Sequence, residues 1–198
     1  MTDQLFLVRH GETLHNVAGI AQGWNDSDLS DKGRRQVRAL AERLAQQEPT
    51  AIYSSPLGRA LSTAQVIAEA TGIEIRTLDD LREMNYGSWE GRSYLDVRHD
   101  EIFPRWIDDP DCPCPDGESH NDVLRRMERA LASVDSARAI VVAHGTAIRI
   151  AATLLLRAPI LTSRQLAQDN AALNVFVRRG ERWILKLWND TTHCVEPE

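Results

Sequence analysis

The chain has little of what would tie it to an oxidising compartment, a membrane or a nucleic acid. It carries three cysteines in 198 residues, an odd number, and only Cys112 and Cys114 lie close together. Their C-x-C spacing fits neither a zinc knuckle nor a C-x-x-C redox pair, so the thiols read as structural or incidental, in keeping with the rarity of cytosolic disulfides. No apolar run approaches the roughly 18 residues of a membrane span. Met1-Thr2-Asp3-Gln4 leads straight into an apolar stretch, without the basic and apolar regions of a signal peptide; the expected location is the cytoplasm, with no membrane partner. The glycosylation sequons at Asn25 and Asn189 carry meaning only in a secreted chain. Basic residues are outnumbered, 23 Lys and Arg against 29 Asp and Glu for a formal charge of -6, whereas a nucleic-acid surface would need a basic stripe. H-E-x-x-H, P-loop, dinucleotide and G-x-S-x-G signatures are all missing.

What is present is a globular composition, 42% hydrophobic and 26% charged, with enough chain for a substantial core. Apolar patterning alternates between strand and helix. A strand over Gln4–Arg9 precedes a helix from Ser30 to Gln47 that places Val37, Leu40, Ala41 and Leu44 on one face, with Ser30 as its N-cap. A strand at Ala51–Ser54 leads to a helix from Pro56 to Thr71, stopped by Gly72, and Ile73–Leu78 is a third strand. From 79 to 117 the pattern blurs, with a short helix expected near Tyr94–Trp106, and this segment is expected to be an insertion over one edge of the sheet. Ser119 and Asp122 then begin another helix. A strand over Ala139–Ala143, a helix from Thr146 to Leu156, and a hairpin pairing 174–177 with 183–187 follow. The fold class expected is α/β: a three-layer α/β/α sandwich with a mostly parallel sheet, in one domain spanning 1–198.

Two of the buried strands end in the same unusual way. Phe6-Leu7-Val8 and Ile140-Val141-Val142-Ala143 run into His10-Gly11 and His144-Gly145. In an open parallel sheet ligands bind beyond the carboxyl ends of the strands, where Arg9, His10, His144 and, beyond Ser54-Ser55, Arg59 can converge. Gly11 and Gly145 let backbone N–H groups come close to a ligand. Forked arginine donors, imidazoles and N–H groups suit a dense tetrahedral anion such as phosphate. Metal chemistry is the competitor: His10-Gly11-Glu12 has the H-x-E form of a zinc deaminase, but Pro113-Cys114-Pro115 does not supply the required P-C-x-x-C, and Arg9 would oppose a cation. No metal or other cofactor is expected.

Leu7-Val8-Arg9-His10-Gly11-Glu12-Thr13, followed by Asn16 and Gln22-Gly23, resembles the signature of the histidine phosphatase superfamily, in its phosphoglycerate mutase-like branch. Ser54-Ser55-Pro56-Leu57-Gly58-Arg59-Ala60, Leu81-Arg82-Glu83-Met84, Gly117-Glu118-Ser119 and Val142-Ala143-His144-Gly145 match its later blocks in order. The resemblance implies that His10 is a nucleophile that becomes phosphohistidine, that Arg9, Arg59 and His144 hold the phosphoryl oxygens, and that Glu83 is the proton donor. Asn16 and Gly145 would help bind the phosphoryl group, and Gln22 and Gly23 would line the entrance. His15 and His120 depart from the family pattern near the expected entrance and are expected to be surface residues rather than ligands, and His193 is given no catalytic role. The resulting expectation is a metal-independent phosphatase of small phosphomonoesters of the sugar phosphate, phosphoglycerate or phosphoserine type. A phosphoglycerate mutase and a non-catalytic binder of phosphorylated ligands are the alternatives, and the oligomeric state is not legible.

Overall fold

In β1 (Gln4–Arg9) Leu5 and Leu7 enter one hydrophobic cluster while Phe6 and Val8 enter another. Side chains alternate across a strand, so an unbroken apolar run means a strand covered on both faces. The computed structural model, which describes residues 2–194, continues with α1 (Leu14–Ala18), α2 (Asp31–Ala45), β2 (Ala51–Ser54), α3 (Gly58–Thr71), β3 (Ile75–Thr77), α4 (Tyr94–Arg98), α5 (Phe103–Asp108), α6 (His120–Ala132), β4 (Arg138–Ala143), α7 (Gly145–Leu156), β5 (Leu173–Arg179) and β6 (Arg182–Asp190). The sheet order is β3-β2-β4-β1-β5-β6. The first four strands in that order are parallel, and the hairpin β5-β6 adds antiparallel to β1.

Leu40, Leu44, Ala64 and Ile67 of α2 and α3 cover the face that carries Phe6, Val8 and Ile140. Val123 and Met127 of α6 and Ile148 and Ala151 of α7 cover the face that carries Leu5, Leu7 and Val141. The result is the expected three-layer sandwich. Register pairs Arg9 with Ala143 and Ser54 with Val142, so three strands end at one level and deliver His10, Ser55 and His144 to the same rim. Among the described residues no helix is long and apolar enough to cross a membrane.

Local chemistry explains where the elements begin. The Ser30 hydroxyl accepts from Gly33 N at 2.9 Å at the start of α2, and Ser119 and Asp122 form a reciprocal capping box on α6. Four expectations need correction. The helix after Pro56 begins at Gly58, two residues late, because its first N–H groups turn to the Asp26 carboxylate. Instead of Ile73–Leu78, β3 covers only Ile75–Thr77, a short edge strand paired to β2 alone. The single helix expected near Tyr94–Trp106 is two, α4 and α5, separated where Asp100 Oδ1 accepts from Ile102 N at 3.2 Å; Pro104 sits in the first turn of α5, where its missing N–H is not needed.

The fourth correction concerns the 79–117 segment, which does not lie over a sheet edge. Leu81, Met84, Trp89, Val97 and Cys114 are buried in the same cluster as α6 and α7. Arg126 of α6 fixes it there, donating to the carbonyls of Asp80 at 3.0 Å and Glu83 at 2.9 Å while pairing with Glu118 at 2.8 Å. Cys112 and Cys114 are buried free thiols. Burial pushes the Cys114 thiol up to about 12, which makes it a poor nucleophile.

Candidate active site

His10 follows β1 directly, and its Nδ1 lies 2.8 Å from its neighbour's carbonyl, Gly11 O. A carbonyl can only accept, so Nδ1 carries the proton and Nε2 presents a lone pair. The His144 ring lies 5.2 Å away, centroid to centroid. Its Nε2 is 2.8 Å from Ser55 Oγ, and its Nδ1 is buried without a partner. Both imidazoles are held well below their ordinary pKa. For His10 the causes are burial, then the charges of Arg9 and Arg59; for His144 they are burial, then Arg59 and His10. Both rings are therefore neutral near pH 7.

The turn after His10 tolerates no side chain. A Cβ on Gly11 would lie 2.5 Å from Val37 Cγ2 and 2.9 Å from Gly33 O, so α2 packs directly on the His-Gly backbone. Gly11 N donates to Thr63 Oγ1 at 3.1 Å, and that hydroxyl donates to Arg59 O at 2.9 Å, joining the nucleophile loop to α3.

The two arginines are buried and held from behind. Arg59 donates to Gly23 O at 2.7 Å and Asn25 O at 2.8 Å, and pairs with Asp26 at 3.2 Å. Arg9 donates to Gln168 O. In each the Nε is buried and unpartnered, leaving a donor for a ligand. Burial pulls Arg9 below its ordinary value, and the charge of Glu83 opposes that. Gly145 sits close under Arg9: its Cβ position would be 3.5 Å from the guanidinium carbon.

Glu83 is 8% exposed and sits at the start of α7. Its Oε1 accepts from Met84 N at 2.9 Å and Ala147 N at 3.1 Å, and its Oε2 from Thr146 N at 3.1 Å. The last two donors are first-turn N–H groups of α7, which have no partner within the helix. Asn16 Oδ1 is taken by Thr13 N at 3.1 Å and Asn170 Nδ2 at 3.0 Å, which leaves its amide N–H groups for a ligand.

A cavity of about 670 Å³ lies above this rim, with Arg9, Asn16, Glu83 and Gly145 in its lining. His10, Arg59 and His144 are not in that lining and are 2%, 2% and 0% exposed. Aromatic side chains of the 79–117 segment, among them Tyr86, Tyr94 and Trp106, form one wall. Gln22 and Gly23 do not line the cavity. The Gln22 side chain is buried and accepts from Thr13 Oγ1 at 3.1 Å, and Gly23 acts through its carbonyl on Arg59. His120, expected on the surface, is 3% exposed and lines the cavity, with its ring 4.7 Å from that of Trp106. His15 is half-buried. His193 lies 3.0 Å from Ala171 O and 3.1 Å from Arg43.

Sequence reasoning placed Ser55 at the rim without giving it a role, and passed over Asp26 and Arg126. Arg126 did leave a signal, because it falls on the apolar face of α6 between Val123 and Ala130, where an arginine is kept only with buried partners. Asp26 left none, since its partners are 32 and 33 residues away. Among the described residues no group of three or more His, Cys, Asp or Glu side chains could hold a metal ion. Chemically, the rim can bind a tetrahedral anion through several donors while offering one neutral imidazole lone pair.

Known proteins share this architecture. A protein named probable phosphoglycerate mutase GpmB from Serratia proteamaculans is 34% identical, covering 98% of this chain and 96% of its own. A mycobacterial glucosyl-3-phosphoglycerate phosphatase superposes with a TM-score of 0.84 at 32% identity over 94% of this chain and 98% of its own. A phosphoserine phosphatase variant from Entamoeba histolytica, solved with phosphoserine, gives 0.87 at 28% identity over 98% and 100%. The family profile of the histidine phosphatase superfamily, branch 1, matches residues 5–191. With its two His-Gly strand ends inside that match, the chain belongs to the histidine phosphatase superfamily.

Proposed function

We propose that the protein is a metal-independent phosphatase that hydrolyses small phosphomonoesters through a phosphohistidine on His10. The observation that carries this reading is the His10 ring: Nδ1 is tied to Gly11 O, so the nitrogen left with a lone pair is Nε2, and burial beside Arg9 and Arg59 keeps it unprotonated. A neutral imidazole is a competent nucleophile at pH 7. Nε2 attacks phosphorus and the bond to the ester oxygen breaks. Glu83 gives a proton to the departing alkoxide. Arg9, Arg59, Asn16 and the unpartnered Nδ1 of His144 hold the equatorial oxygens, with the N-terminus of α7 at Gly145 nearby. Positioning and charge stabilisation are what phosphoryl transfer most needs. Water then attacks phosphohistidine, the P–N bond breaks, Glu83 takes the water's proton, and phosphate leaves. Gln22 and Gly23 serve this chemistry by fixing Thr13 and Arg59.

A second reading, a phosphoglycerate mutase, is favoured by the name of the Serratia relative. A mutase must keep water from phosphohistidine; the phosphatase names of the mycobacterial and Entamoeba structures favour hydrolysis. The test is an incubation with 3-phosphoglycerate in excess chelator, followed by phosphate release and by isomer formation. Phosphate release that chelator does not slow, with a phosphate adduct at His10 in rapid-quench mass spectrometry, is the expected result. Isomer formation outrunning phosphate release would replace hydrolase by mutase, and an adduct on His144 with active His10→Ala protein would overturn the nucleophile.

A further inference from the structure

The cavity holds four arginines, Arg9, Arg98, Arg149 and Arg164, against one carboxylate, Glu83. This imbalance occurs in a chain whose net charge is -6. Arg9 belongs to the phosphoryl rim, but Arg149 and Arg164 do not. Among the described residues neither forms an ion pair with a carboxylate. Arg149 is spent on neutral groups of its own helix, with Nε 3.2 Å from Gly145 O and one terminal nitrogen 3.0 Å from Thr146 Oγ1. Arg164 lies over the Trp106 ring, 4.8 Å from its centroid, donates to Trp106 O at 2.6 Å, and comes within 3.1 Å of the His120 ring.

Two further observations point to a missing ligand at this end of the cavity. The Nε of Arg164 is buried with no partner, and so are both polar atoms of the Gln168 amide, on a residue that also lines the cavity. Buried donors without partners are costly in a native fold. The like charges also crowd one another: Arg164 is lowered by burial first and by Arg149 next. His120 is held down to about 3 by burial and then by Arg164 and Arg149, so its ring adds no charge of its own. The Asp108 charge acts favourably on Arg164 without forming an ion pair with it among the described residues.

We infer that Arg149 and Arg164, with the Gln168 amide, form a second anion subsite, so that the substrate is a phosphomonoester bearing a further anionic group, a carboxylate or a second phosphate, away from the phosphate that is cleaved. A guanidinium fork and an unpartnered amide suit either group. Trp106 and His120 hold the Arg164 plane in place from one side. This inference rests on the phosphatase reading for the site of cleavage and selects, among small phosphomonoesters, against neutral sugar phosphates.

The test compares three compounds on one skeleton: glycerol 3-phosphate, 3-phosphoglycerate and a glycerol bisphosphate. Affinities are measured by calorimetry on His10→Ala protein, where nothing turns over, and kcat/KM on the unaltered protein. Tighter binding of at least one compound carrying the second anionic group than of glycerol 3-phosphate, by about ten- to a hundredfold, is expected. The partner that gains most identifies carboxylate or phosphate. That preference should shrink in Arg149→Gln or Arg164→Gln protein whose thermal unfolding shows it folded. Equal affinity for all three compounds would overturn the subsite, and so would a preference that survives both arginine substitutions. Absence of turnover with the affinity difference intact would instead defeat the phosphatase reading and leave the subsite standing.

Discussion

Lowering the pH from 7 to 5 should destabilise this protein through its histidines, before its carboxylates titrate. His10, His120 and His144 are each buried, and each is held below the ordinary histidine value. Above the unfolded-state pKa of about 6.5 the rings are neutral in both states and contribute nothing to the pH dependence. Below it the unfolded chain binds protons that the folded chain refuses, so stability falls as pH falls and continues to fall to the folded-state value, about 3 for His120. Each refused proton costs about 1.4 kcal/mol per pH unit. Between pH 6.5 and 5 that is about 2 kcal/mol for His120, a sizeable share of the 5–15 kcal/mol typical of a folded domain, and His10 and His144 move stability in the same direction. Urea unfolding followed by tryptophan fluorescence at pH 7, 6 and 5, in buffers free of phosphate, measures the slope. His120→Gln should recover about 2 kcal/mol of the acid loss. A midpoint that does not change between pH 7 and 5 would show that these imidazoles are not held neutral and would remove the basis for a neutral nucleophile, whereas a slope identical in the variant would show it for His120 alone.

Glu83→Gln keeps an acceptor for the α7 N–H groups but no acid, so kcat/KM for an alkyl phosphate should drop by about 10² to 10⁴ while nitrophenyl phosphate, with its good leaving group, loses much less; equal losses would make Glu83 a binding group. Gly11→Ala forces a methyl into Val37 and Gly33 O, and thermal unfolding should show it about 1–3 kcal/mol less stable; a variant as stable as the parent would mean α2 can retreat from the turn. Arg126→Met leaves Glu118 without its partner and frees the Glu83 segment, costing about 3–5 kcal/mol in denaturant titration, with kcat falling more than KM rises. A loss confined to stability would separate Arg126 from the placement of the acid.

How much of this could be read from residues alone follows from distance along the chain. The two strand ends were legible because an apolar run that stops at His-Gly needs no partner to be unusual. Ser30 and Ser119 were legible for the same reason, since a cap acts within three residues. Gln22 and Gly23 were placed at the entrance, but the hydrogen bonds that matter there run to Thr13 and to Arg59, and a sequence does not show which way a loop folds back. His120 was placed near the entrance, and it does line the cavity, but it is buried and not on the surface because the 79–117 segment, docked through Arg126 and Trp89, closes over it. The same docking turned an expected edge insertion into a cavity wall.

The first turn of α7 carries His144 at its cap and, two and three residues on, the N–H groups that hold Glu83. Any movement of that helix would carry the phosphoryl-binding ring and the carboxylate together, so their separation is protected from drift. The wall from Tyr86 to Trp106 meets that turn through the Tyr86 hydroxyl, 2.8 Å from Thr146 Oγ1, whereas residues 94–108, among those described, make no hydrogen bond to His144 or Glu83. For an engineer this divides the protein into a reaction cassette, best left untouched, and a replaceable liner. Libraries aimed at new phosphomonoesters belong in residues 94–108 and at Arg149 and Arg164, where selectivity can be rewritten without re-spacing the groups that break the bond.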